Sequence, residues 1–278
     1  MKKGTSWHRL TRNGPAVAGL ILLCVVAIMA TAAPLVAPFH PTEMVLKSRL
    51  QPPSLKHVFG TDAMGRDVLS RVLYGARLTM LIALAGVCIG GAIGIGLGLI
   101  SGYFGGVLDL LLMRAMDIGL AFPSLLLAML IISVLGPGVT SVVMAIAVFA
   151  VPVYARVVRG AVLSVKQEAY IEAARAFGCS HRDIMTRHLL PNAIPPMIVQ
   201  SSLLIANAVL IASSLSFLGL GVQPPSPEWG AMLAGGRLYL RSAPWVTIFP
   251  GLAIVLAVLG LNLLGDGLRD VLDPRLRM

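Results

Sequence analysis

The chain has 278 residues, of which 57% are hydrophobic and 12% are charged, with a formal net charge of +10. A soluble domain carries about a quarter charged residues, so this composition excludes an ordinary water-soluble fold, and its apolar content equally excludes a disordered chain. The basic residues lie between long apolar runs rather than on one polar face, which excludes nucleic acid as the partner and leaves the lipid bilayer.

A helix needs about 20 apolar residues to cross a bilayer. Residues 1–15 form a basic N-terminus with Lys2, Lys3, Arg9 and Arg12. The first apolar run, Ala16–Phe39, ends in small residues (Ala30, Thr31, Ala32) like those of a signal cleavage site. It is longer than a signal core of about 7–15 residues, so 16–39 is read as a retained transmembrane helix. An extracytoplasmic loop follows over 40–75. There Asp67 and Arg71 have the spacing of a helical ion pair, and Arg66 and Asp67 are candidates to touch another protein. Residues 76–265 form a core with five further runs: Leu78–Tyr103, Leu110–Leu135, Val139–Val157, Ile194–Leu220 and Val246–Leu264. The core includes a polar cytoplasmic segment, 159–192, and a second extracytoplasmic loop, 222–244. Residues 266–278 form the C-terminal segment.

Backbone polar groups in lipid must bond within their own segment, so these runs are helices. The fold class is an all-α integral membrane protein with six transmembrane helices. Most of the 22 lysines and arginines fall on the side of the two termini, which places both termini in the cytoplasm.

Gly86, Gly90, Gly94, Gly98 and Gly102 recur at every fourth position of the second run. They form one flat face that another helix can approach closely, either for tight packing or for movement in a transport cycle. Arg114 and Asp117, near the inner end of the third run, have the spacing to pair with each other. They are candidates for a structural ion pair or for a contact in a translocation path. Cys24 and Cys88 lie in apolar runs and read as buried small hydrophobes. The histidines form no ligand-spaced cluster, so no metal site and no catalytic residue is assigned. Trp229 and Trp245 suit an interfacial belt.

The most informative segment runs from Gln167 to Pro191. Its first half is a good helix former in which Ala169, Ala173, Ala174 and Phe177 alternate with charge. Gly178 suits a left-handed helix stop, Ser180 with Asp183 suits the cap of a second short helix, and Pro191 marks the end of that helix. The apolar side is mostly alanine, which grips lipid weakly but admits another protein, so this is a docking site for a cytoplasmic partner.

Glu172-Ala173-Ala174, then Gly178, then Leu190-Pro191 resemble the EAA loop of binding-protein-dependent ABC importer permeases, with His188 standing where that loop usually has isoleucine. Four further stretches are similar to the peptide and nickel branch of that family: Phe59–Arg77, Met113–Ala128, Ser216–Leu233 and Asn262–Leu276. The resemblance implies a type I permease in the bacterial inner membrane, working as the second permease of an importer. Its partners would be a homologous permease, two cytoplasmic ATPase subunits and an extracytoplasmic binding protein. Glu172, Ala173, Ala174, Arg175 and Gly178 would then couple to one ATPase. No lysine follows a glycine, so the chain lacks a phosphate-binding P-loop. ATP and Mg would therefore sit on the ATPase subunits, and no cofactor is expected on this chain. Peptides or peptide-like solutes are the expected cargo, nickel or a nickel chelate the alternative, and a secondary transporter the distant one.

Overall fold

The computed structural model describes residues 13–272. Lys2, Lys3, Arg9 and Arg12 of the N-terminal segment, and Arg275 and Arg277 of the C-terminal one, lie outside the described residues. The described helices are α1 (Gly14–Val36), α2 (Val68–Phe104), α3 (Gly106–Ala121), α4 (Ser124–Leu135), α5 (Val139–Val165), α6 (Ala169–Ala176), α7 (His181–Phe217), α8 (Trp229–Gly236) and α9 (Trp245–Leu272). Among them α1, α2, α5, α7 and α9 are long and apolar enough to cross a membrane singly. The third expected span is broken. Its halves, α3 and α4, meet at 94°, because Pro123 cannot continue a helix and holds Phe122 extended (φ −85°, ψ 135°).

Several helices overrun their expected ends. α2 starts at Val68, before the expected Leu78. α5 continues to Val165 and α7 begins at His181, so both reach into the segment expected to be polar surface. Pro191 does not end a helix. Instead α7 passes it after a π-helical stretch, Ile184–Leu189, in which the Leu190 amide donates to the Met185 carbonyl. The wider π turn opens the ladder where proline has no amide to give.

The bundle is organised around contact between α2 and α5. Every member of the glycine series faces α5. A Cβ on Gly86 would stand 2.6 Å from Ile146 Cγ2, one on Gly94 2.5 Å from the Val151 carbonyl oxygen, and one on Gly102 2.8 Å from Val162 Cγ1. The face is therefore a tight packing surface. α1 packs on α9 in a similar way, since a Cβ on Gly19 would lie 2.6 Å from the Leu264 nitrogen. Asn13 caps α1 by accepting from the Ala16 amide and donates to Asp270 at 3.1 Å.

The end of the bundle remote from α6 is tied by buried polar groups. The expected Asp67–Arg71 pair does not form, because Asp67 is the cap of α2. Its carboxylate accepts from the Ser70 amide and hydroxyl, both at 2.8 Å, and meets His57 Nδ1 at 2.9 Å. Arg71 turns to the Asp62 carboxylate (3.7 Å) and donates to the carbonyls of Pro41 (2.9 Å) and Pro225 (3.2 Å). Arg66 also pairs with Asp62, at 2.7 Å. Asp67 is buried and so is not available to another protein.

Trp229 and Trp245 do not form a belt. Trp229 is fully buried and donates to the Val72 carbonyl, tying α8 to α2, while Trp245 donates to that of Thr61, tying α9 to the first loop. Glu228, also fully buried, caps α8 by accepting from Ala231 and receives the Thr79 hydroxyl at 3.3 Å. Burial pushes its carboxyl up from the ordinary value, against the hydrogen bonds that favour the anion. Cys24 and Cys88 are exposed rather than buried, since a run that is apolar on every side does not show which face turns inward.

Gly94→Ala is expected to lower the melting temperature in detergent, through overpacking of about 1–3 kcal/mol. Gly96→Ala, with nothing within 4 Å of the added Cβ, should not; scanning fluorimetry of the pair checks this. A carboxyl whose pKa is raised by folding stabilises at low pH, and loses that contribution as pH rises through the raised value. Glu228→Gln should therefore melt higher than the parent at pH 8, with the gap closing on acidification.

Candidate functional site

The sequence 169–176 forms a helix because alanines and straight-chain residues dominate it. The chain leaves α6 through a Schellman turn, with the Cys179 amide on the Ala174 carbonyl (3.1 Å) and the Gly178 amide on that of Arg175 (3.0 Å). Gly178 sits at φ +79°, as its left-handed stop requires. Ser180 then caps α7, its hydroxyl oxygen accepting from the Asp183 amide at 3.1 Å.

α6 has two faces. Its underside is anchored by Ile171, fully buried in a cluster with Tyr103, Val158, Val162, Ile184 and Leu189. Glu172, Ala173, Arg175 and Ala176 are exposed, and Ala174 is half-buried. Phe177 is 89% exposed. A large aromatic left open beside a rigid turn is the kind of anchor that fills a pocket on a partner.

Tyr103, the penultimate residue of α2, supports this platform. Its hydroxyl and His181 Nδ1 are 2.6 Å apart, its carbonyl accepts from Lys166 Nζ at 2.6 Å, and the Arg175 guanidinium lies 5.6 Å from its ring centre. A single aromatic thus joins the end of α2 to both helices of the expected docking segment. Sequence reasoning missed Tyr103, Lys166 and His181. Tyr103 and His181 are 78 positions apart, and no local pattern relates them.

A second group lies between α3 and α5. The expected Arg114–Asp117 pair does not form, because α5 brings Arg156 onto Asp117 at 2.6 Å. One turn closer to α6, Arg159 grips Asp109 with two bonds of 2.6 Å each, and the Ser101 hydroxyl also donates to Asp109. Asp117 lies about one turn before the end of α3 at Ala121, and about three turns from its start at Gly106. Arg114 and Asp117 share the wall of one cavity with Asp109 and Arg159.

Residues 94–278 match a family model described as the binding-protein-dependent transport system inner membrane component. Residues 4–53 match the N-terminal transmembrane domain of oligopeptide transport permease C. The chain is 45% identical over 272 residues to a dipeptide transport system permease of Alkalihalophilus pseudofirmus, covering 98% of this chain and 90% of that protein. It is 46% identical to a probable D,D-dipeptide transport permease of Escherichia coli K12, covering 93% and 87% of the two. Against a glutathione transport permease of Pectobacterium atrosepticum the identity is 45%, with 98% and 90% covered. Among solved structures, an inward-facing MetNI methionine ABC transporter chain aligns with a TM-score of 0.59 at 22% identity. That alignment covers 72% of this chain and 95% of the other, and the likeness is one of fold.

Gly178→Ala forces a Cβ into the left-handed conformation at a cost of about 1–2 kcal/mol, with open space around it. Hydrogen exchange at the 178 and 179 amides should rise roughly tenfold or more, while the melting temperature of the bundle stays unchanged.

Proposed function

The chain belongs to the family of binding-protein-dependent transport system inner membrane components, and on that premise we propose that it is one permease subunit of an ATP-driven peptide importer. The cargo is a dipeptide, oligopeptide or peptide-like solute. The relatives' names, which refer to dipeptides, D,D-dipeptides and glutathione, favour this cargo over nickel. A homologous permease completes the pathway, a binding protein delivers solute from outside, and two ATPase subunits supply ATP hydrolysis from the cytoplasm.

The observation that carries this reading is the α6 platform, whose outer face is open and whose underside is locked to the bundle. Glu172, Ala173, Ala174, Arg175 and Gly178 form the coupling surface, with Phe177 as its apolar anchor. Closure of the ATPase pair moves α6, and the motion has two rigid outlets. The first is the Tyr103 contact to α2, and the second is α7, which continues from the Ser180 cap into the membrane. Nucleotide drives the cycle only by binding one conformation better than the other. Reversing a 1:99 population requires a preference of about 5.5 kcal/mol, and that energy must pass through this surface.

In the reconstituted importer, Glu172→Lys and Gly178→Trp should each abolish peptide uptake while leaving membrane insertion intact. Phe177→Ala should weaken retention of the ATPase by roughly tenfold, as expected for loss of an interface anchor. Normal uptake by the first two variants would remove α6 as the coupling element.

A further inference from the structure

We propose that Arg114, flanked by the Asp109–Arg159 and Asp117–Arg156 pairs, lines the water-filled inner mouth of the translocation path and receives the carboxylate of the departing solute. The identity of that solute rests on the peptide reading above.

The first ground is exposure at depth. Counted from the α6 end, Asp117 lies about 17 Å along α3 and Arg156 about 14 Å along α5, both within helical segments apolar enough to count toward a membrane span. The two side chains are nevertheless 49% and 55% exposed. An ionised pair turned toward hydrocarbon is strongly disfavoured, so the open side of this pair is turned away from lipid.

The second ground is the cavity itself, about 340 Å³ between α3 and α5, whose wall includes Asp109, Met113, Arg114, Asp117 and Arg159. The third is charge balance. Asp109 is held by the fork of Arg159, and Asp117 by Arg156. Among the described residues, no carboxylate lies within 4.0 Å of Arg114. Three guanidiniums therefore face two carboxylates, and the unmatched one is planar, permanently charged and shaped to hold a carboxylate through two bonds. A peptide with a free C-terminus presents that group, ionised at neutral pH. An exposed site of this kind binds weakly enough to let go, as a passage requires.

The test uses the assembled importer in lipid nanodiscs with Met113→Cys as a reporter, its modification read by mass spectrometry. An anionic methanethiosulfonate should modify the thiol faster than a cationic one, and adding Arg114→Gln should shrink that ratio roughly tenfold. A free dipeptide should slow the labelling, and the same dipeptide amidated at its C-terminus should not. No labelling by either reagent would mean that lipid or the partner permease fills the space, and would overturn the proposal. A ratio indifferent to Arg114→Gln, or equal protection by acid and amide, would overturn it too. Labelled dipeptide uptake by the parent importer separates the two readings. Absence of uptake defeats the peptide assignment, whereas uptake without protection of the reporter defeats the carboxylate site alone.

Discussion

Close contact between α2 and α5 is the constraint on which the remaining structure depends. Lipid tails are as apolar as leucine, so helices in a bilayer gain little from hiding apolar surface from one another. They associate instead through van der Waals contact at short range. Five glycines on one face of α2 allow the α5 backbone to approach so nearly that the missing side chains would have overlapped Ile146, Ala147, Val151, Ala155 or Val162. Once that seam is set, α2 acts as a rigid strut through the whole molecule. One of its ends is fixed by Asp67, Ser70 and Arg71 among the loops, and the other presents Tyr103 beneath α6.

This arrangement explains how a helix of eight residues keeps its shape at the surface of the bundle. α6 alone is too short to be stable in water, and its helicity comes from Ile171 packed into the cluster around Tyr103. The hydrogen bond to His181 and the lysine and arginine around the Tyr103 ring hold the platform in one orientation. Force on the exposed face therefore meets packed contacts rather than a flexible loop. Pro123 breaks the third span, and Pro191 follows directly on the π stretch of α7. Each is a point where the backbone hydrogen-bond ladder is already interrupted. The charged cavity lies along α3, on one side of the Pro123 break.

Three signals that depend on short-range geometry hold in the structure. Gly178 as a left-handed stop and Ser180 as a cap depend on neighbours within a few residues, and both are found. The glycine face of α2 depends only on helical periodicity and lies in the contact. Pairings judged by spacing alone did not survive. Asp67 was taken by Ser70 and His57, and Asp117 by Arg156, because a carboxylate goes to whichever donor the tertiary structure brings nearest. Pro191 failed as a stop because it stands at the start of an α-helical stretch, directly after the π turn, where a missing amide costs little.

The amino-acid sequence by itself therefore determined the solvent, the helical class, the glycine face and the capped turn after α6. Each follows from composition, periodicity or the conformational limits of one residue. Only the tertiary structure decided which charges meet, which aromatic carries the platform and which side chains remain open. Those outcomes depend on partners tens of residues away, as Tyr103 and His181 or Asp109 and Arg159 show. No short-range rule encodes such distances, and only the packed helices bring these groups together.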